Sequence, residues 1–300
     1  MAVDTKLLTV IVPITRMAGR LQKLQSWVSS AEAQQLHIVL IHDINDIQTG
    51  AELYQIIQKL KGQDIRLIEG KFGSPGSARN AGLSEIETPW VSFWDSDDMP
   101  EVKSFLAMVE KSNSRGERIC VGNFSIYDDS SGLKIGVNVV LPNWEFVIAA
   151  NPGIWRFAFR SEVIRGRKFT DFRVGEDQLF ILETLQSEYL PNIYPENVYN
   201  YFVGNPGHQT ANRDYFFDLI EVLKIIVAKL KVEPNNTFAA VIAFRMVLTL
   251  IRRGYFKSKV RALTYAPYIF WVLVGPRKSF SILVSLVRSP GLYSKERVIE

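Results

Sequence analysis

Between Leu7 and Asp95, short apolar or β-branched runs alternate with stretches of helical spacing, a pattern that few topologies accommodate. The runs are Leu7–Ile14, Leu36–His42, Ile65–Glu69 and Trp90–Asp95. Between them, Leu21, Leu24, Trp27 and Val28, and then Leu53, Ile56, Ile57 and Leu60, recur three and four residues apart, as one face of a helix requires. This predicts βαβ units on a parallel sheet, the α/β class. Pro13 closes the first strand, Gly62 ends the second helix, and Pro100 stands where a further helix begins, with Phe105, Leu106 and Val109 on its inner face. Arg118–Tyr127 and Leu133–Leu141 read as strands joined by the turn Asp128-Asp129-Ser130-Ser131-Gly132, so a parallel half gives way to a mixed half near residue 115. From Asp214 onward the pattern is amphipathic and helical: Leu219, Leu223, Ile226, Val227 and Leu230, then, beyond Pro234, Val241, Phe244, Val247, Leu248 and Ile251. The expected division is residues 1–213 (halves 1–115 and 116–213) and a helical region, 214–300.

With 300 residues, 47% of them apolar, the chain is long enough for one large α/β domain and a smaller appendage. Its formal charge of +4 is unevenly spread: residues 214–300 hold 14 Lys and Arg against 6 Asp and Glu, or +8, leaving 21 against 25, or −4, for residues 1–213. The Met1–Pro13 stretch carries Asp4, a short apolar run and no small-residue cleavage site, which argues against a secretory signal. Cys120 is the only cysteine, which excludes an internal disulfide and fits a cytoplasmic setting.

In open parallel sheets ligands bind outside the carboxyl ends of the strands, and Trp90–Trp94 delivers Asp95-Ser96-Asp97-Asp98 to that edge. Carboxylates one residue apart can hold a divalent cation at one and a ribose hydroxyl at the other, the cation neutralising a diphosphate. The same four residues also suit an acidic turn and helix cap.

Gly76-Ser77-Ala78-Arg79-Asn80-Ala81-Gly82, followed by Phe93-Trp94-Asp95-Ser96-Asp97-Asp98, resembles glycosyltransferase family 2, as does the opening strand Leu8–Pro13. Val174-Gly175-Glu176-Asp177 resembles the same family's E-D motif at a helix start. The resemblance implies a GT-A fold and inverting transfer from a nucleotide-diphosphate sugar, UDP-linked, to an acceptor hydroxyl. It implies Mn2+ or Mg2+ as cofactor and surface polysaccharide or glycolipid synthesis as the setting. It also implies that Asp43 meets the nucleobase, Arg79 lies near the nucleotide, Asp95 reaches the ribose, Asp97 holds the metal and Asp177 is the base. Pro13, Ser96 and Glu176 complete the nucleotide-sugar set. For Arg79 a salt bridge supporting the sheet edge stands beside the ligand reading. A helix N-terminus is expected to keep Asp177 ionised and to weaken it as a base. His208, in the Gly204–Thr210 loop, offers a metal or phosphate contact or is simply solvated. The sequence departs from the family pattern at Pro13-Ile14-Thr15-Arg16, where P-x-Y-N is usual, and at Asp43-Ile44-Asn45, where D-G-S is usual; Val203 replaces a common arginine. These departures leave a non-catalytic nucleotide-sugar or partner-binding module as the competing reading.

In the tail, Ile251–Arg261 interleaves cations with aromatics and Tyr265–Val274 is apolar, too short to span a bilayer. Two readings stand: a peripheral site on an anionic membrane surface, where lipid-linked or other carbohydrate acceptors would be met, or packing of Phe270, Trp271, Leu273 and Val274 on the domain. No nucleic-acid module accompanies the basic stretch, so nucleic acid is not an expected partner. A nucleotidyltransferase would need a glycine-rich loop that Met17-Ala18-Gly19-Arg20 does not supply.

Overall fold

A computed structural model describes residues 6–60, 62–137, 151–185, 189–204, 215–253 and 255–274. The first four apolar runs become β1 (Leu8–Ile14), β2 (Leu36–Asp43), β3 (Ile65–Gly70) and β4 (Trp90–Phe93), all parallel, with Val10 opposite Ile38 and Ser92. Successive side chains on a strand point to opposite faces. Ile11, Val39, Ile41, Val91 and Phe93 therefore enter one core, and Val10, Val12, Ile38 and Leu40 the other. Helices cover both faces, which is why β1 and β2 show no polar alternation.

On one face lie α1 (Gln22–Val28), α2 (Ile47–Lys59) and α4 (Val102–Ser114), which contribute Leu24, Trp27, Leu53, Phe105 and Val109. Trp94 meets Trp27 edge-on at 5.1 Å and Phe105 at 5.0 Å. On the other face lie α3 (Pro75–Gly82), the short α5 (Ser161–Ile164) and α6 (Glu176–Thr184). The C-terminal helices α7 (Phe216–Val232), α8 (Thr237–Arg253) and α9 (Phe256–Val274) join the same core, where Leu223, Val241 and Ile269 share a cluster with Phe93 and Phe180. Each such buried side chain contributes about 1.5–3 kcal/mol, which seats the helices firmly on the sheet.

The second half of the sheet is mixed. β8 (Phe157–Arg160) runs antiparallel between β4 and β6 (Ile119–Asp128); β9 (Asn192–Val203) lies parallel to β6, and β5 (Met99–Pro100) pairs antiparallel with β9. The order is β3-β2-β1-β4-β8-β6-β9-β5, and β7 (Lys134–Val137) pairs with β6 as the hairpin reading required. The strand expected over 133–141 extends past the described residues at 138. β9 is longer than the apolar run Val198–Phe202 suggested, because Pro195, Glu196 and Asn197 sit where the register with β6 shifts around Asn123. Pro100 pairs in a strand, and α4 begins two residues later at Val102.

Candidate active site

The carboxyl ends of β1, β2 and β4 open onto a cleft of about 750 Å³, whose far wall is built from the start of α6, the segment 151–155, Tyr201, Tyr215 and Arg245 of α8. Pro13, Asp43, Arg79, Asp95, Ser96, Asp97, Glu176 and Asp177 all line it. His208 lies outside the described residues.

The acidic turn divides its labour. Asp95 donates its backbone N–H to the Tyr199 hydroxyl at 3.0 Å, and Asp98, fully buried, accepts the N–H of Phe202 at 2.7 Å. β9 thus clamps the turn from beneath. Burial, followed by the charges of Asp97 and Asp95, raises Asp98 well above the usual carboxylate range. Of the three carboxylates in this turn, Asp95 and Asp97 line the cleft.

α3 docks the loop that leads to α6. Ser74 caps α3 by accepting the Ser77 N–H at 3.1 Å, and the hydroxyls of Ser74 and Ser77 both donate to Asp171 Oδ1 at 2.6 Å. Asn80 pairs with the backbone of Phe169 in both directions, at 2.9 and 2.8 Å. Gly76 is required by space: a Cβ there would lie 2.2 Å from the Thr170 carbonyl oxygen. Arg79, buried, donates to Glu176 Oε1 at 2.7 Å and to Asp95 Oδ1 at 2.9 Å, tying α6 to the strand-end carboxylate. The guanidinium therefore makes the salt bridge, between two site carboxylates rather than at the sheet edge alone. Burial alone would lower Arg79, but Asp95 and Glu176 hold it raised.

Asp177 follows at the first turn of α6, past Gly175, whose φ of 90° fits the left-handed region open to glycine. Burial, then the charge of Glu176, pushes Asp177 up to about 8 against the pull of Arg79. This reverses the expectation that the helix end keeps it ionised. A helix terminus is worth about 0.3–1 kcal/mol, less than one pKa unit, so burial beside a second carboxylate outweighs it. At neutral pH such a group is mostly protonated, and it can accept a further proton only after losing the one it holds.

At the other end, Asp43 Oδ1 accepts the backbone and side-chain N–H groups of Asn45 at 3.0 and 2.9 Å, and Oδ2 faces the N–H groups of Phe72 and Gly73, each at 3.4 Å. These bonds outweigh burial and hold Asp43 below its ordinary value. No cluster of three or more metal-ligating side chains occurs among the described residues. Asp95 and Asp97 supply hard oxygen ligands, and a hard cation shared with substrate phosphates needs only one or two protein carboxylates.

The sequence reading missed Arg16, Phe72, Trp155, Arg173, Tyr201, Tyr215 and Arg245 as cleft residues. Trp155 and Tyr201 form a stacked pair at 5.3 Å, and the Arg173 guanidinium lies 5.3 Å from the Tyr215 ring centre. One signal was available: Arg245 is the only charge in the apolar stretch Phe238–Ile251.

Among curated proteins the chain is 29% identical over 135 residues to glycosyltransferase GlyA of Streptococcus pneumoniae, covering 44% of this chain and 19% of that one. It is 30% identical over 95 residues to the succinoglycan biosynthesis protein ExoW of Rhizobium meliloti, covering 31% of this chain and 30% of that one. The matched segments thus span less than half the length of these relatives. Among solved structures, S. aureus TarS (residues 1–349) in complex with UDP-GlcNAc superposes with a TM-score of 0.63 at 14% identity, covering 89% of this chain and 81% of that one. The mannosyltransferase PcManGT from Pyrobaculum calidifontis, in complex with GDP-Man and Mn2+, gives 0.56 at 16% identity, covering 95% and 87%. These likenesses show the GT-A type of fold. The family model described as "Glycosyl transferase family 2" matches residues 9–173, more than half of the sequence, and the chain belongs to that family.

Proposed function

We propose that this chain is an inverting glycosyltransferase that moves a sugar from a nucleoside diphosphate, UDP by family resemblance, to a hydroxyl of a carbohydrate or lipid-linked acceptor in surface polysaccharide or glycolipid synthesis. The observation that carries the reading is that Asp97 and Asp177, remote in sequence, line one cleft. The nucleotide sugars in the TarS and PcManGT complexes, and the Mn2+ in the latter, support the donor class and a divalent cation. Pro13, Asp43 and Ser96 take the nucleoside side, Asp95 the ribose, and Asp97 a Mn2+ or Mg2+ ion. When bound, that ion neutralises the leaving diphosphate. Arg79 and Glu176 hold α6 so that Asp177 faces the acceptor. The acceptor oxygen attacks the anomeric carbon opposite the diphosphate, the bond to the diphosphate breaks as the new one forms, and the acceptor proton passes to Asp177. The test is a pair of variants. Asp97→Ala is expected to abolish Mn2+-dependent nucleoside diphosphate binding, whereas Asp177→Asn binds normally and loses about 10²–10⁴-fold in transfer. Normal turnover by Asp177→Asn refutes the base assignment. Nucleotide binding by the wild type without release of the diphosphate favours the non-catalytic module, the reading that the departures at Thr15, Arg16 and Ile44 allow.

We further propose peripheral attachment to the inner face of the cytoplasmic membrane through α9. No helix among the described residues is long and apolar enough to cross a membrane. One face of α9 is buried through Ala262, Ile269 and Val272, while Phe256, Val260, Leu263, Phe270 and Trp271 are exposed on the other. Phe270 and Trp271 therefore do not pack on the domain. On α9, Lys257 and Arg261 are exposed, and residues 237–274 hold no acidic residue. Such a face suits anionic lipid. Deleting the tail would strip the core of Ile269 and Val272, so exposed positions are the cleaner target. Phe270→Ser with Trp271→Ser is expected to cut co-sedimentation with phosphatidylglycerol vesicles severalfold, and unchanged binding would end this reading.

A further inference from the structure

The exposed apolar residues of α9 form a single stripe. Phe256, Val260, Leu263, Pro267 and Phe270 follow one another at steps of four, three, four and three residues. On a helix of ~3.6 residues per turn and ~1.5 Å rise, such steps stay on one face and run roughly 20 Å. The buried set, Ser258, Ala262, Ile269 and Val272, lies on the opposite face, so the stripe points away from the core. Phe256 is 81% exposed and Leu263 53%. Exposed Lys257 and Arg261 border the stripe on one side and half-buried Lys259 on the other, and α9 holds no acidic residue. An apolar stripe edged by cations suits an anionic bilayer.

The stripe starts at the cleft. The rings of Phe217, at the start of α7, and Tyr255, just before α9, stack at 6.3 Å and 24°. Thirteen residues further along both helices, the Tyr268 hydroxyl donates to the Leu230 carbonyl at 2.9 Å. The two helices therefore run parallel and in register, and their first turns stand at the same end. Tyr215, the residue before α7, lines the cleft at that end, as does Arg245, about two turns before α8 finishes at Arg253. Phe217 and Tyr255 are both exposed, so the apolar surface widens from Phe256 onto two further helix ends at the cleft rim.

We infer that the bilayer seats on Phe217 and Tyr255 as well as on the stripe of α9, so that the wall proposed for the acceptor opens at the lipid surface, where it meets an acceptor headgroup still anchored in lipid. The inference rests on the membrane reading above and adds the orientation of the cleft. A soluble carbohydrate would gain nothing from a rim of this kind.

The test uses the full chain. Cys120, the only cysteine, is fully buried, so an introduced surface thiol takes a label alone. Nitrobenzoxadiazole, which brightens and shifts to the blue on leaving water, is attached to Phe217→Cys, Leu263→Cys, Trp271→Cys and Ala107→Cys. All four positions are exposed, which leaves the core intact, and Ala107 lies on α4, across the sheet from α9. With phosphatidylglycerol vesicles, emission at positions 217, 263 and 271 is expected to rise severalfold while that at 107 stays unchanged. A rise at 263 and 271 with none at 217 would overturn the inference and leave the membrane reading standing, because the cleft would then face water. An equal rise at 107 would show that no one face docks and would overturn it too. If none of the four responded, the membrane reading itself would fall and the inference with it.

Discussion

The two walls of the cleft are built by different means. On the wall proposed to take the nucleotide, short polar side chains hold backbone: Asp46, Thr49 and Glu52 fix residues 16–19, Asp43 ties residues 45, 72 and 73 together, and Asp98 pins the turn after β4. On the wall proposed to take the acceptor, large side chains stack on one another, as Trp155 does on Tyr201 and Arg173 on Tyr215. The first wall falls within the family-matched residues 9–173, whereas the second is split: Trp155 and Arg173 fall within them, and Asp177, Tyr201, Tyr215 and Arg245 lie beyond. A wall made by clamping backbone keeps one shape for a constant ligand. A wall made of side chains changes with each substitution, as differing acceptors require.

Arg79 is the joint between the walls, and its removal carries the largest expected effect. Arg79→Met leaves Glu176 buried without its partner, a loss of about 3–5 kcal/mol in unfolding free energy by urea titration. A loss below about 1 kcal/mol would show that the walls are held together elsewhere. The next effect is confined to the acceptor wall. Because Asp177 is raised to about 8, it is protonated below that pH and cannot accept the acceptor's proton. Transfer at saturating donor is therefore expected to fall about tenfold per pH unit on the acid side, while nucleoside diphosphate affinity stays flat near neutrality. The stability sign is opposite: the folded state favours the protonated form, so its contribution is present at low pH and fades as pH rises towards 8. A flat rate profile from pH 6 to 8 would remove Asp177 from the proton path.

The nucleotide half was legible in sequence because its signals are local. A strand buried on both faces announces itself as an unbroken apolar run, and Asp95 to Asp98 follow such a run directly. Even there the division of labour was hidden, since only packing against β9 turns Asp98 inward and leaves Asp95 and Asp97 outward. The Asp177 motif was visible, but the direction of its pKa was not, because burial is a property of the assembled wall. Arg245 reaches the cleft only because α8 packs on the sheet, a placement no local pattern encodes. Arg16 appeared merely as a departure from a motif; its left-handed backbone, held by the Asp46 carboxylate, is visible only in the fold.

The central claim is that one cleft holds the cation at Asp97 and the base at Asp177. Anomalous diffraction from crystals grown with UDP and Mn2+ tests it directly. The account predicts a manganese peak in contact with the Asp97 carboxylate, the nucleotide along the β1–β2 end of the cleft, and the Asp177 carboxylate facing the space beyond the diphosphate. A manganese ion and nucleotide bound together outside this cleft, or within it but walled off from Asp177, would contradict it.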